Sequence, residues 1–251
     1  MRYTLLQMTQ AILSSLDGDE VNSISDTTES LQIATIVKNS YYDIISSLNL
    51  PEHKDLFELI PTNSTTPVVM TKPDDVTDVE WVKYNNFTTD EGRDRFVDVL
   101  YMELKDFLEN AYSLDSTQDN VESCTIATRP TDSFTLMYRN NAFPRYYTTY
   151  DDNTILFDSY MASEDSFLQK TKSQCYGQIL PSWTQSDSFT PDLDAKQFTL
   201  LLNEAKAQAF IELKQTANPK AEKRARRGWI QAQRTKDNVQ RHENYKGYGR
   251  K

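Results

Sequence analysis

Groups able to do acid–base, nucleophilic or metal chemistry are few and scattered in this chain. Its two histidines are His53, in the polar turn PEHKD, and His242, near the C-terminus. Neither lies in a motif with a serine or cysteine, so both read as surface residues rather than general bases. The two cysteines, Cys124 and Cys175, are too few and too far apart for a disulfide framework or a paired metal site. Two free thiols are the default, and a single bridge stays open. The acidic stretch DGDEVN offers Asp17, Asp19 and Glu20. A calcium loop beginning there needs glycine where Asn22 stands and glutamate where Thr28 stands, so the stretch reads as a helix stop and acidic surface. Six glycines, none clustered ahead of a helix, leave little room for a phosphate cradle. The expectation is no catalytic residue, no metal ligand and no cofactor, hence no enzyme.

The pattern that carries a signal is cationic. In KAEKRARRGWIQAQRTKDN, residues 220–238, Lys220, Lys223, Arg224, Arg226 and Arg227 crowd together, and Trp229 and Arg234 follow. On a helix, Lys223, Arg226 and Arg227 share a face, while Ala221, Ala225 and Trp229 line another at spacings of four. Residues 214–251 hold 12 Lys+Arg against 3 Asp+Glu, which leaves 15 basic and 34 acidic residues for the rest of the chain. An acidic body with a basic end marks an interaction segment. Three readings compete. One is a solvated helix whose tryptophan packs on the body. A second is a nucleic-acid contact, which suits the arginines but sets an acidic body against a polyanion, and RRGW matches no base-reading module. The third is docking on an acidic protein partner, where Arg and Trp are over-represented as anchors. On that reading the partner-binding residues are Lys220, Lys223, Arg224, Arg226, Arg227, Trp229 and Arg234. The opposite charges also allow copies of the chain to meet head to tail and to close into a ring.

The elements that must position this segment follow from periodicity. Leu5, Met8, Ile12 and Leu16 recur at helical spacing until DGDE. Asp26 and Glu29 suit the cap of a second helix, which carries Ile33, Val37, Tyr41, Ile44 and Leu48 on one face and stops before Pro51. From Leu56 the runs LFELI, PVVM, VTDVEWVKY and 95–101 read as strands. ELKDFLENAYSL reads as a short helix grouping Leu104, Phe107 and Leu108. In SFTLMYRNNAFPRYYTTYDDNTILFDSY, strands alternate with Asn-Asn and Asp-Asp-Asn turns, and Phe134, Leu136 and Tyr138 share one face. DSFLQKTKSQCYGQIL reads as an edge strand. After Pro191, Phe198, Leu201, Leu202, Ala205, Ala209 and Leu213 line a helix that Asp192 or Asp194 caps and Asn218-Pro219 ends. A last helix, interrupted at Gly228, leads into a polar end.

The order of helices, strands and helices implies an α+β fold: a helical bundle formed by the N- and C-terminal helices with an inserted antiparallel β-rich domain. The boundaries read as 1–55, 56–190, 191–237 and a flexible basic tail, 238–251. No apolar run approaches the roughly 20 residues of a membrane span, so a soluble, cytoplasmically made protein without a membrane partner is expected.

Three stretches carry a resemblance: TLLQMTQAILSSLDGDEVNSISDTTESLQIATIVKNSYYDIIS, YRNNAFPRYYTTYDDNTILFDSY running into SFLQ, and PSWTQSDSFTPDLDAKQFTLLLNEAKAQAFIELKQTANPKAEKRARRGW. Together they resemble the head-to-tail adaptor proteins of short-tailed bacteriophages, the tail tubular protein A family. The resemblance rests on pattern and order, as no stretch is a catalytic motif. It implies a structural virion protein at the portal vertex, assembled in the host cytoplasm. It further implies a homo-oligomeric ring of about twelve copies between the portal ring and the tail nozzle protein, lining a channel that genomic DNA transits. In this family the C-terminal segment docks on the portal, and the block from Lys220 to Arg234 occupies its place.

Overall fold

The structure is a computed structural model that describes residues 2–48, 50–88, 92–128, 132–195 and 197–244; of Pro51 and of residues 235–244 it describes the main chain alone. Among these residues the protein is mixed α/β, with five α-helices and a curled eight-stranded sheet. The helices are α1 (Leu5–Leu13), α2 (Thr28–Leu48), α3 (Leu104–Tyr112), α4 (Phe198–Lys214) and α5 (Pro219–Asn244). The strands are β1 (Lys54–Phe57), β2 (Ile60–Pro61), β3 (Val69–Thr71), β4 (Val76–Asn85), β5 (Phe96–Tyr101), β6 (Val121–Ala127), β7 (Ser133–Arg139), β8 (Tyr146–Thr149), β9 (Thr154–Phe157) and β10 (Ser173–Ile179). The chain divides into two compact units, Met1–His53 with Pro181–Lys251, and Lys54–Leu180.

In the first unit, α1 starts on a capping box. Thr4 Oγ1 accepts from the Gln7 N–H at 3.3 Å, and Gln7 Oε1 accepts from the Thr4 N–H at 3.0 Å. The helix ends at Leu13, and Asp17 then turns the chain at φ 55° while the Gly18 N–H closes on the Leu13 carbonyl. The cap of α2 lies one residue later than expected. Thr27 and Ser30 exchange main-chain and side-chain hydrogen bonds at 3.0 and 3.1 Å, whereas Asp26 accepts from the N–H groups of Asn22 and Ser23 in the loop before it. Ile33, Val37, Tyr41, Ile44 and Leu48 are all fully buried, and they share one core with Leu5, Met8, Ile12, Phe198 and Leu201.

Residues 181–190, read with the strands, belong to this unit. The N–H groups of Leu5 and Leu6 donate to the carbonyls of Phe189 and Asp187, the Asp187 carboxylate accepts from the Ile24 N–H at 2.8 Å, and Trp183 stacks edge-on against Phe189. Neither Asp192 nor Asp194 caps α4. Gln197 holds the N-cap position without a side-chain bond to the helix, its Oε1 accepting from the Asp194 N–H at 3.3 Å instead, and the Asp194 carboxylate accepts from the adjacent Ala195 N–H.

In the second unit the strand order is β1-β10-β4-β5-β8-β9-β3-β2, beside a separate β6–β7 hairpin. The run LFELI splits here. β1 ends at Phe57 and β2 begins at Ile60, yet they occupy opposite ends of the order. A flat sheet of eight strands would hold its outer strands about 34 Å apart. The chain from Phe57 to Ile60 reaches at most about 11 Å. The sheet therefore curls until its two ends approach, with Leu59 fully buried at the step and its N–H donating to Ser173 Oγ at 2.9 Å.

An antiparallel sheet is expected from the sequence, but one pair departs from it: β5 and β8 run parallel. Parallel neighbours need a long crossover, and α3 with the β6–β7 hairpin supplies it. Phe107 and Ala111 of α3 are buried, and on β7 Leu136 and Tyr138 point inward as their alternation implies. β10 is not an edge strand but lies between β1 and β4. Its register against β4 shifts between Tyr176 and Gly177. Cys124 and Cys175 are both free and buried; burial alone raises the first thiol to about 11 and the second to about 12.

Candidate functional site

The cationic segment forms α5, and its start is locally specified. Asn218 Oδ1 accepts from the Ala221 N–H at 3.2 Å, and Pro219 takes the first helical position, where a missing N–H costs nothing. The preceding helix, α4, closes through Gln215 at φ 51°. α5 then packs on α4 through a stripe of small residues. Ala221 and Ala225 are buried, and a Cβ on Gly228 would lie 3.0 Å from Leu200 Cδ1. Gly228 is thus a point of close approach between helices rather than an interruption, and α5 runs through it to Asn244. The polar end expected from residue 238 is helical as far as Asn244, and the remainder of that expectation lies outside the described residues.

Of the seven residues singled out from sequence, six stand together. Lys220, Lys223, Arg224, Arg226, Arg227 and Arg234 are exposed. At about 100° per residue Lys223, Arg226, Arg227 and Arg234 lie away from the small-residue stripe, Lys220 at its flank and Arg224 beside Gly228, with Ile230, 44% exposed, among them. Among the described residues none of the six forms an ion pair. Trp229 is the exception. It is half-buried against the helical core, and its indole N–H donates to Glu204 Oε2 of α4 at 3.1 Å. Its role is to hold α5 in place, so the cations project from a helix fastened to its own unit.

Beside them a groove of about 370 Å³ runs between the two helices. Arg224, Arg227, Gly228, Gln231 and Ala232 line it from α5, Gln197, Leu200 and Asn203 from the start of α4, and Glu52 and Asp194 from the segments before it. Of the polar residues of this groove, the sequence singled out Arg224 and Arg227 and offered Asp194 only as a cap; Glu52, Gln197, Asn203 and Gln231 were not recognised. Glu52 and Asp194 are remote from α5 in the chain, and the spacing within α4 marks only its apolar positions. Lys206, also on α4, has its pKa lowered, first by burial and then by the neighbouring charge of Arg224.

The remaining candidates resolve differently. His53 is buried, not on the surface, because the chain at 51–53 makes a short 3₁₀ turn after Leu50 that tucks the ring inward. Its Nε2 has no hydrogen-bond partner among the described residues, and burial depresses its pKa against the opposing pull of Asp192 and Glu52. The main chain of His242 lies in the last turn of α5, and its side chain lies outside the described residues. Asp17, Asp19 and Glu20 are exposed. Among the described residues no group of three or more His, Cys, Asp or Glu side chains could hold a metal ion, and no helix is long and apolar enough to cross a membrane. The chain matches no protein-family model and no curated protein.

Proposed function

We propose that this chain is a structural virion protein, a head-to-tail adaptor of a short-tailed phage that stands between the portal ring and the tail nozzle. The helices from both ends of the chain form its adaptor bundle, the strand-rich unit is the inserted domain, and about twelve copies form a ring through which DNA passes. The protein performs no catalysis. The observation that carries this reading is the outer face of α5: six cations project from a helix anchored by Ala221, Ala225, Gly228 and Trp229, and none has an ion-pair partner among the described residues. Such a face suits an acidic protein surface. A channel lining with a strong excess of carboxylates suits DNA that must slide without adhering.

The test uses the full chain carrying Arg226→Glu and Arg227→Glu, co-sedimented with assembled portal rings. Docking should weaken by on the order of 2–5 kcal/mol, the range for desolvated charge pairs. Binding to the rings that stays unchanged would overturn the portal assignment. Retention on duplex DNA that falls steeply with salt, and is lost in the variant, would move α5 to nucleic acid instead. Truncation after Lys214 is the poorer experiment, because it also uncovers Leu200 and Ala207 of α4.

A further inference from the structure

We infer that the groove between the start of α4 and α5 is a binding site for a short, extended, acidic segment of a partner protein, with a side-chain carboxylate held between Arg224 and Arg227. The inference rests on α5 being the docking element and names what it docks. Arg224, Arg227, Gly228, Gln231 and Ala232 recur at i, i+3, i+4, i+7 and i+8, so they form one continuous wall. From Arg224 to Ala232 that wall is about 12 Å long. An extended chain of three or four residues spans the same length, which agrees with a groove of about 370 Å³.

The chemistry of the wall sets the ligand. Arg224 and Arg227 lie one turn apart and have no carboxylate partner among the described residues, although Glu52 and Asp194 border the same space. A guanidinium pair of this kind grips a planar carboxylate through parallel N–H donors. The floor is apolar: Leu200 packs closely on Gly228, and Ala232 continues it. An aliphatic side chain next to the carboxylate would cover that floor, and Glu52 and Asp194 would accept from the segment's N–H groups. A protein carboxylate is favoured over a nucleic-acid phosphate by the surroundings. Outside residues 214–251 the chain carries 34 Asp+Glu against 15 Lys+Arg, which repels a long polyanion far more than a single carboxylate.

The probe is the blocked peptide acetyl-Ala-Leu-Glu-Leu-amide, titrated into the isotope-labelled full chain and followed by NMR. Saturable shifts are expected at the amide of Gly228, the side-chain amide of Asn203 and the indole N–H of Trp229. The same peptide with Gln for Glu should bind at least tenfold more weakly. Arg224→Gln with Arg227→Gln should lose at least tenfold, while Arg226→Gln with Arg234→Gln, which changes charge equally outside the groove, should stay within twofold. Equal binding of the two peptides, equal loss in the two double variants, or shifts elsewhere would overturn the assignment. So would single-stranded DNA displacing the peptide while shifting all six cationic positions alike. Portal-ring binding, measured in parallel, separates the two proposals: peptide binding without ring binding removes the portal and keeps the groove, and ring binding without peptide binding does the reverse.

Discussion

A methyl group placed on Gly177 would lie 2.0 Å from the main-chain carbonyl oxygen of Asp78, on the neighbouring strand and unable to swing aside. Gly177→Ala should therefore destabilise the strand-rich unit by about 3 kcal/mol or more, the upper end for overpacking, seen as a lower urea midpoint. His53 gives the second residue-scale prediction. Its folded pKa lies below its ordinary 6.5, chiefly through burial. The unfolded chain then binds the proton more readily, so stability is full above pH 6.5 and declines as pH falls from there toward the depressed folded value. Thermal melts of the protein and of His53→Gln between pH 5 and 8 should diverge in that interval, with the variant lacking the decline. Parallel curves would show that the buried ring is not what titrates.

The helices were legible to the extent that one face of each meets the core. The five apolar positions expected on α2 are all buried, and so are Phe198, Leu201, Ala205 and Ala209 of α4. Phe198→Ala should cost about 3–5 kcal/mol as a fully buried aromatic, measured by chemical denaturation. What the sequence hid is the second buried face of α4. Leu200, Asn203 and Ala207 are covered because α5 lies over them, and a period-counting argument sees only one stripe at a time. The same blindness made Gly228 look like a break: glycine costs a helix stability, and only the distance to Leu200 explains its presence. Caps were misplaced by one residue or more because several Ser, Thr and Asp side chains compete at each loop, and geometry rather than residue type chooses between them. β6 was overlooked for the opposite reason. Cys124 and Ile126 do alternate with Ser123 and Thr125, but the run is polar enough to pass for a loop. The basic face of α5 was readable by charge alone, whereas its groove needed residues from three separate places in the chain.

At the scale of the whole molecule, charge and covalent path are separable properties. Residues 54–180 carry 22 Asp+Glu against 11 Lys+Arg, so the strand-rich unit holds much of the chain's excess negative charge. The chain enters that unit through β1 and leaves it through β10, and these two strands pair, with Lys54 opposite Gln178. An insertion whose ends are neighbours can be removed without stretching what remains. Residues 54–180 expressed alone should fold with a cooperative thermal transition. Residues 1–53 joined to 181–251 by a short Gly/Ser linker should keep a helical far-ultraviolet spectrum. Loss of cooperativity in both pieces would mean that the two units depend on each other to fold. The two-residue step at Glu58 and Leu59 has a further effect. By bringing the ends of the strand order together it leaves rims only four and two residues long, in β1 and β2. Rims so short offer a foreign backbone almost nothing to zip onto, so the longest open strand edges among the described residues are those of the separate β6–β7 hairpin, seven residues on each side.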